Sequence, residues 1–224
     1  MKPDLSVEYC GVKFKNPLII ASATPTKDAE YMRKCCEAGA GGLISKTISP
    51  EPLAQKYSNP RFTVLHKSGW PKIYSNYSTE FLCTYTPEEW WPQMVAAKKV
   101  CDEFGTVLVG SISGVSIDNW KELAKKMEDI GVPMIELNFG CPHPKDLGYK
   151  SGQVLGNSPD AAAEVVNAVV NSVHIPVFTK LTGEAVNIVE SAGKVKAAGA
   201  SGVTVINRYS SLDIDLKTGR PILH

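Results

Sequence analysis

No Cys-x-x-Cys pair occurs among the six cysteines (Cys10, Cys35, Cys36, Cys83, Cys101 and Cys141). The usual ligand spacing of zinc and iron–sulfur sites is therefore lacking, and no metal site is expected. The sequence also lacks a Gly-x-Gly-x-x-Gly fingerprint, so it has no dinucleotide-binding motif of its own. No apolar run approaches the roughly 18 residues of a membrane helix, and Met1-Lys2-Pro3-Asp4 leads into strand-like alternation rather than a signal peptide. A soluble cytoplasmic protein is expected. An excess of charge is missing too: the net charge is +1 and the basic residues are scattered. That excludes the electrostatic footprint of a nucleic-acid or membrane-surface binder and points to small molecules. The dispersed cysteines read as reduced thiols, with adjacent Cys35 and Cys36 as small hydrophobes in a helical pattern.

With 43% hydrophobic residues in a chain of 224, a sizeable core is available, and residues 1–224 read as one globular domain. A hairpin is expected first, from Val7 to Tyr9, turning at Cys10-Gly11, then Val12 to Phe14. Strand-like and helical patterns then alternate. The strands are Leu18 to Ala21, Gly42 to Lys46, Val107 to Ile112, Met134 to Asn138, Val177 to Leu181 and Val203 to Asn207. The helices are Ala29 to Ala38, Pro87 to Phe104, Ser116 to Ile130, Pro159 to Ser172 and Val186 to Ala198. Gly39, Gly131 and Gly199 close helices in the left-handed turn that returns the chain to the next strand. Continuous apolar strands between helices mean a parallel sheet covered by helices.

Two closures are open to such a sheet, a doubly wound open sheet or a (β/α)8 TIM barrel. Polar residues end one strand after another: Ser22, Lys46, Ser111, Ser113, Asn138, Lys180 and Asn207. One site drawn from so many strand ends suits a barrel better than an open sheet with a single switch point. The expectation is a barrel with about six of eight β/α units present, truncated before the last two. The densest chemistry lies in Asn138-Phe139-Gly140-Cys141-Pro142-His143, where an apolar strand ends in an amide, a thiol, a proline and an imidazole.

Six segments in order carry a family resemblance: Asn16 to Ala23, Ser45-Lys46-Thr47, Ser58-Asn59-Pro60-Arg61, Asn138 to His143, Phe178 to Thr182, and Val203 to Asn207. Across nearly its whole length the chain resembles the flavin-dependent dihydroorotate dehydrogenase superfamily. Within it, His143 makes the chain most similar to the pyrimidine-reducing domain of dihydropyrimidine dehydrogenases. The resemblance implies FMN as cofactor and a reaction at the C5–C6 bond of a pyrimidine. Hydride would pass through flavin N5, and Cys141 would act as general acid or base on a mobile loop, Pro144 to Gly156. Dihydroorotate oxidation is an alternative, and a flavin-free structural or assembly subunit is another.

In this reading Lys180 supplies the cation that a reduced flavin needs near its N1–C2=O edge, with Lys46 as a second. The other reading of both is a solvated lysine at a strand exit. Ala21 and Ser22 let the flavin ring lie against backbone, while Thr47, Ser111 and Asn138 contact flavin. Asn138 and Asn207 each offer a donor and an acceptor to the alternating edge of a pyrimidine. Asn76 and Arg208 complete the substrate contacts. Gly140 stands where the family usually has serine, and Arg208 where it usually has serine or threonine. The family's phosphate-binding turns follow strands seven and eight, outside these residues. Tyr74, Tyr77, Tyr85, Trp90 and Trp91 are expected to bury against a helix or a dimer partner. A homo-oligomer is expected, as is an electron-transfer subunit carrying FAD or iron–sulfur clusters.

Overall fold

The computed structural model describes residues 3–50, 62–65, 75–78, 82–141, 151–185 and 187–223. Six parallel strands form one curled sheet in the order β3 (Ile19–Ile20), β4 (Gly42–Ile44), β7 (Val107–Ile112), β8 (Ile135–Asn138), β9 (Val177–Lys180) and β10 (Gly202–Thr204). Neighbours in sequence are neighbours in the sheet, as right-handed β/α crossovers produce. These are the six strand units expected, arranged as part of a barrel. Helices α1 (Ala29–Glu37), α2 (Pro87–Glu103), α3 (Ile117–Ile130), α5 (Pro159–Val170) and α6 (Ile188–Ala197) follow the strands, and a short α4 (Gly152–Gly156) precedes α5. Between β4 and α2 lies a separate antiparallel pair, β5 (Phe62–Leu65) and β6 (Ser75–Ser78). Neither strand is among those expected from the sequence; the β-branched and apolar run Phe62-Thr63-Val64-Leu65 accounts for β5.

Alternation along the strands separates two apolar layers. Leu43, Leu108, Ile112, Ile135, Leu137 and Val177 face the helices in the main core, with Trp90, Met94, Trp120 and Met127. Trp120 of α3 meets Phe139 edge-on at 5.5 Å. Ile44, Val109, Met134 and Phe178 point the other way and pack with Phe14. The expected hairpin, β1 (Val7–Tyr9) and β2 (Val12–Phe14), delivers that phenylalanine, so it plugs the N-terminal mouth of the sheet. Thr86, Ser116 and Asn187 cap α2, α3 and α6 by accepting a backbone N–H three residues on. Gly131 ends α3 at φ 88°, the left-handed turn anticipated.

Among the expected aromatic contacts, Trp90 is fully buried and stacks on Tyr85 at 6.0 Å, while Trp91 is half-buried and Tyr74 lies outside the described residues. Cys36 is buried and faces Cys101 across α1 and α2, Sγ to Sγ 3.9 Å. Phe14→Ala should destabilise the fold by about 3–5 kcal/mol, because a buried ring leaves a cavity that the plug cannot collapse. Urea unfolding measures it, and a loss under about 1 kcal/mol would show that the hairpin does not plug the sheet.

Candidate active site

The C-terminal edge of the sheet carries the polar residues. Thr47 stands three residues beyond β4, and its hydroxyl lies 2.8 Å from Ser111 Oγ on β7 and 3.1 Å from Ser22 Oγ beyond β3. Asn138, the last residue of β8, donates its Nδ2 to the same hydroxyl at 3.1 Å. The Oδ1 of Asn138 accepts Gly140 N–H at 3.1 Å and Asn207 Nδ2 at 3.2 Å. Asn207 lies beyond β10, which ends at Thr204 rather than running to 207; its N–H donates to Leu181 O at 2.9 Å and its Oδ1 accepts Arg208 N–H at 2.8 Å. Ser22, Thr47, Ser111, Asn138 and Asn207 are thus one network drawn from five strand ends.

That network corrects one expectation. Asn138 does not offer both a donor and an acceptor to a ligand, because its oxygen already takes two N–H groups, one for each lone pair. One Asn138 N–H remains, and Asn207 keeps one N–H and one lone pair on Oδ1. Asn207 thus still offers a donor and an acceptor, while Asn138 offers a donor alone.

Lys46 and Lys180 are buried, at 6% and 8% exposure, which rules out the reading of both as solvated strand-exit lysines. Lys180 ends β9 opposite Asn138 in the register. Lys46 donates its backbone N–H to Thr26 O at 2.9 Å. It also lines a pocket of about 250 Å³ with Thr24, Lys27, Cys83 and Tyr85. Burial pushes the Cys83 thiol up to about 11, so there it is a neutral apolar group and not a nucleophile. Cys141 is buried, and its carbonyl accepts Gln153 N–H at 2.8 Å.

Other expected residues are placed differently. Asn76 sits exposed on β6, in a hairpin outside the parallel sheet, so nothing described brings it to Asn138 or Cys141. Ala21 and Arg208 are exposed at the ends of β3 and β10. Residues 142–150, with His143 and the first half of the expected lid, lie outside the described residues, as do 58–61. The second half is not an exposed loop: residues 152–156 form α4, with Gly152, Leu155 and Gly156 buried. A Cβ on Gly156 would lie 2.1 Å from Phe139 O, so glycine there serves close packing rather than hinge motion. Gly140, where the family usually has serine, is likewise set by close packing. A Cβ there would meet Asn207 Cβ and Nδ2, each at 2.6 Å, so the missing side chain is what lets Asn207 reach Asn138.

Glu136 is a buried charged residue that no strand end marks in the sequence. It is 1% exposed, midway along β8, on the face shared with Ser111 and Phe178. Its Oε2 accepts Thr204 Oγ1 at 2.7 Å, while Oε1 has no hydrogen-bond partner among the described residues. Burial raises its carboxyl above the ordinary range, against the opposing pull of Lys180 and the Thr204 bond.

A family model described as dihydroorotate dehydrogenase matches residues 4–224. The chain belongs to the dihydroorotate dehydrogenase family. It is 33% identical over 223 residues to a protein of Methanocaldococcus jannaschii named dihydroorotate dehydrogenase B (NAD(+)), catalytic subunit, covering 98% of this chain and 67% of that one. It is 32% identical over 226 residues to the NAD-dependent dihydropyrimidine dehydrogenase subunit PreA of Escherichia coli K12, covering 99% of this chain and 53% of that one. The chain therefore spans about half to two thirds of the length of these relatives. Among solved structures, a 2-naphthoyl-CoA reductase complex matches with a TM-score of 0.60 at 11% identity, over 91% of this chain and 40% of that one; the likeness is one of fold. The family places the chain among flavin-dependent oxidoreductases acting on CH–CH groups, whose cofactor is FMN.

The residues present fit a flavin ring. Two buried ammonium groups stand at the strand ends, buried hydroxyls cluster between them, and Ser113 Oγ, fully buried, has no hydrogen-bond partner among the described residues. Such an unspent polar group suits a polar ligand.

Glu136 makes a pH prediction. A carboxyl raised in the folded state binds more protons folded than unfolded, so its ionisation takes stability away as pH rises above the unfolded value near 4.5. Glu136→Gln should therefore gain on the wild type in urea midpoint between pH 4 and pH 7. A difference that stays constant over that range would contradict the raised carboxyl.

Proposed function

We propose that the chain is the FMN- and pyrimidine-binding part of an oxidoreductase acting on the C5–C6 bond of a pyrimidine, in the manner of the dihydropyrimidine dehydrogenases. The observation that carries this reading is the Asn138–Asn207 amide pair, set at the same sheet edge as buried Lys180 and Cys141. The remaining N–H groups of the two asparagines take ring carbonyl oxygens. Lys46 and Lys180 hold the flavin and favour its anionic form by placing positive charge beside it in a low-dielectric setting. FMN, when bound, supplies the hydride chemistry at C6. The Cys141 thiol gives a proton to C5 in reduction, or its thiolate takes one in oxidation.

A second reading has support of its own. Lys27 and Lys46 line one pocket, and Arg208 follows Asn207, so cations are at hand for the carboxylate of dihydroorotate. Two of the relatives are named as subunits. On either reading an electron-transferring partner carrying FAD or an iron–sulfur cluster is proposed to complete the enzyme, and self-association into a homo-oligomer is proposed as well. Among the described residues no helix is long and apolar enough to cross a membrane.

Cys141→Ala should retain FMN by its visible spectrum while turnover of uracil, thymine or dihydroorotate falls by about 100- to 10,000-fold. Undiminished turnover would remove Cys141 from the mechanism. Preference between uracil and orotate under an artificial electron donor decides between the two readings. Lys180→Ala should weaken FMN retention and lower the midpoint potential of the bound flavin, measured by dye-linked titration. Unchanged occupancy and potential would contradict its role.

A further inference from the structure

One carboxylate outside the network gathers α4 and two loops of the same face. Glu184 lies in the loop after β9. Its Oε2 accepts Gln153 Nε2 from α4 and Ser210 Oγ at 3.0 Å, and its Oε1 accepts Ser210 N–H. Gln153 also donates its backbone N–H to Cys141 O at 2.8 Å, so the side chain that meets Glu184 belongs to a residue already bonded to Cys141. On the other side, Ser210 follows Asn207 by three residues. Gly183 lets that segment come close: a Cβ there would meet Ile206 Cδ1 at 2.7 Å and Tyr209 Cε1 at 3.0 Å. Glu184 N–H is spent on Thr182 Oγ1 at 3.2 Å, which orients its own backbone.

We propose that Glu184 is a positioning residue, whose carboxylate clasps α4 and the segment after β10 and so fixes Cys141 and Asn207 relative to one another. For the reaction served, this rests on the reading given under Proposed function; the clasp itself rests on geometry. An ionised carboxylate is acceptor-only and can take three donors at once, whereas an amide would set one NH2 group against another donor. The Ser210 backbone bond, then the Ser210 hydroxyl, holds this carboxyl below the ordinary range, and the Gln153 amide adds to it.

The experiment is peptide-resolved alkylation of Cys141 by iodoacetamide in the flavin-free protein, followed by kcat and KM on the FMN-loaded enzyme. Glu184→Ala should raise Cys141 labelling by at least about fivefold, the size of a local opening of one loop, and Glu184→Gln should fall between it and the wild type. Gln153→Leu cuts only the α4 arm and should move Cys141 in the same direction. Buried Cys36 and Cys101 should label as in the wild type, and kcat should fall more than KM rises. Unchanged Cys141 labelling in both Glu184→Ala and Gln153→Leu overturns the proposal. So does a parallel rise at Cys36 and Cys101, which would be general loosening. Enhanced Cys141 labelling in an enzyme that turns over no pyrimidine sustains the clasp and removes the reading of the reaction instead.

Discussion

The hydroxyl of Thr47 meets Asn138 Nδ2, Ser111 Oγ and Ser22 Oγ together, and a hydroxyl with one proton and two lone pairs can serve no more. Because each partner comes from a different strand, the arrangement locks the ends of β3, β4, β7 and β8 into one geometry. Asn138 passes the constraint to Asn207 beyond β10, and Gly140 permits that contact by having no side chain. A buried polar network of this kind is stable only when nearly every member is satisfied. Its few unspent groups, the remaining N–H of each asparagine and one lone pair of Asn207 Oδ1, are with nearby Ser113 Oγ where a ligand gains most.

Below the network the interior is apolar, and at the level of the network charge is buried. Phe14, Ile44, Val109, Met134 and Phe178 make a dry floor. Glu136 is level with Ser111 and Phe178, and Lys180 with Asn138, where water is excluded and charges are costly without opposite charge or hydrogen bonds. Removing water strengthens the field that Lys180 exerts on anything seated at the strand ends. The hairpin plug thus bears on the chemistry although it touches none of the reacting groups.

What could be read in the sequence was what repeats or is local. Alternating apolar runs and helical spacing announced the six β/α units, glycine at 39, 131 and 199 marked the returns, and Cys10-Gly11 marked the hairpin. Strand-end residues at 22, 46, 111, 113, 138, 180 and 207 were visible because polar side chains break apolar runs. Glu136 was hidden for the converse reason, since it interrupts a buried strand and its partner Thr204 is far away in sequence. The Glu184 clasp joins α4 to two loops that no periodicity relates. Spacing also could not show how the Asn138 oxygen is used, because hydrogen-bond capacity is settled by neighbours in space. The β5–β6 pair and exposed Asn76 show the same limit in the long connection between β4 and α2.

The most direct test of the central claim is titration of the flavin-free protein with FMN, followed by uracil or orotate, while the visible spectrum is recorded. Riboflavin serves as the phosphate-free control. The account predicts that flavin binds, by FMN or by ring contacts alone, and that a pyrimidine then shifts the bound flavin's long-wavelength band. Binding of neither flavin, or a flavin band indifferent to every pyrimidine, would contradict the assignment of the strand-end network as a flavin and pyrimidine site.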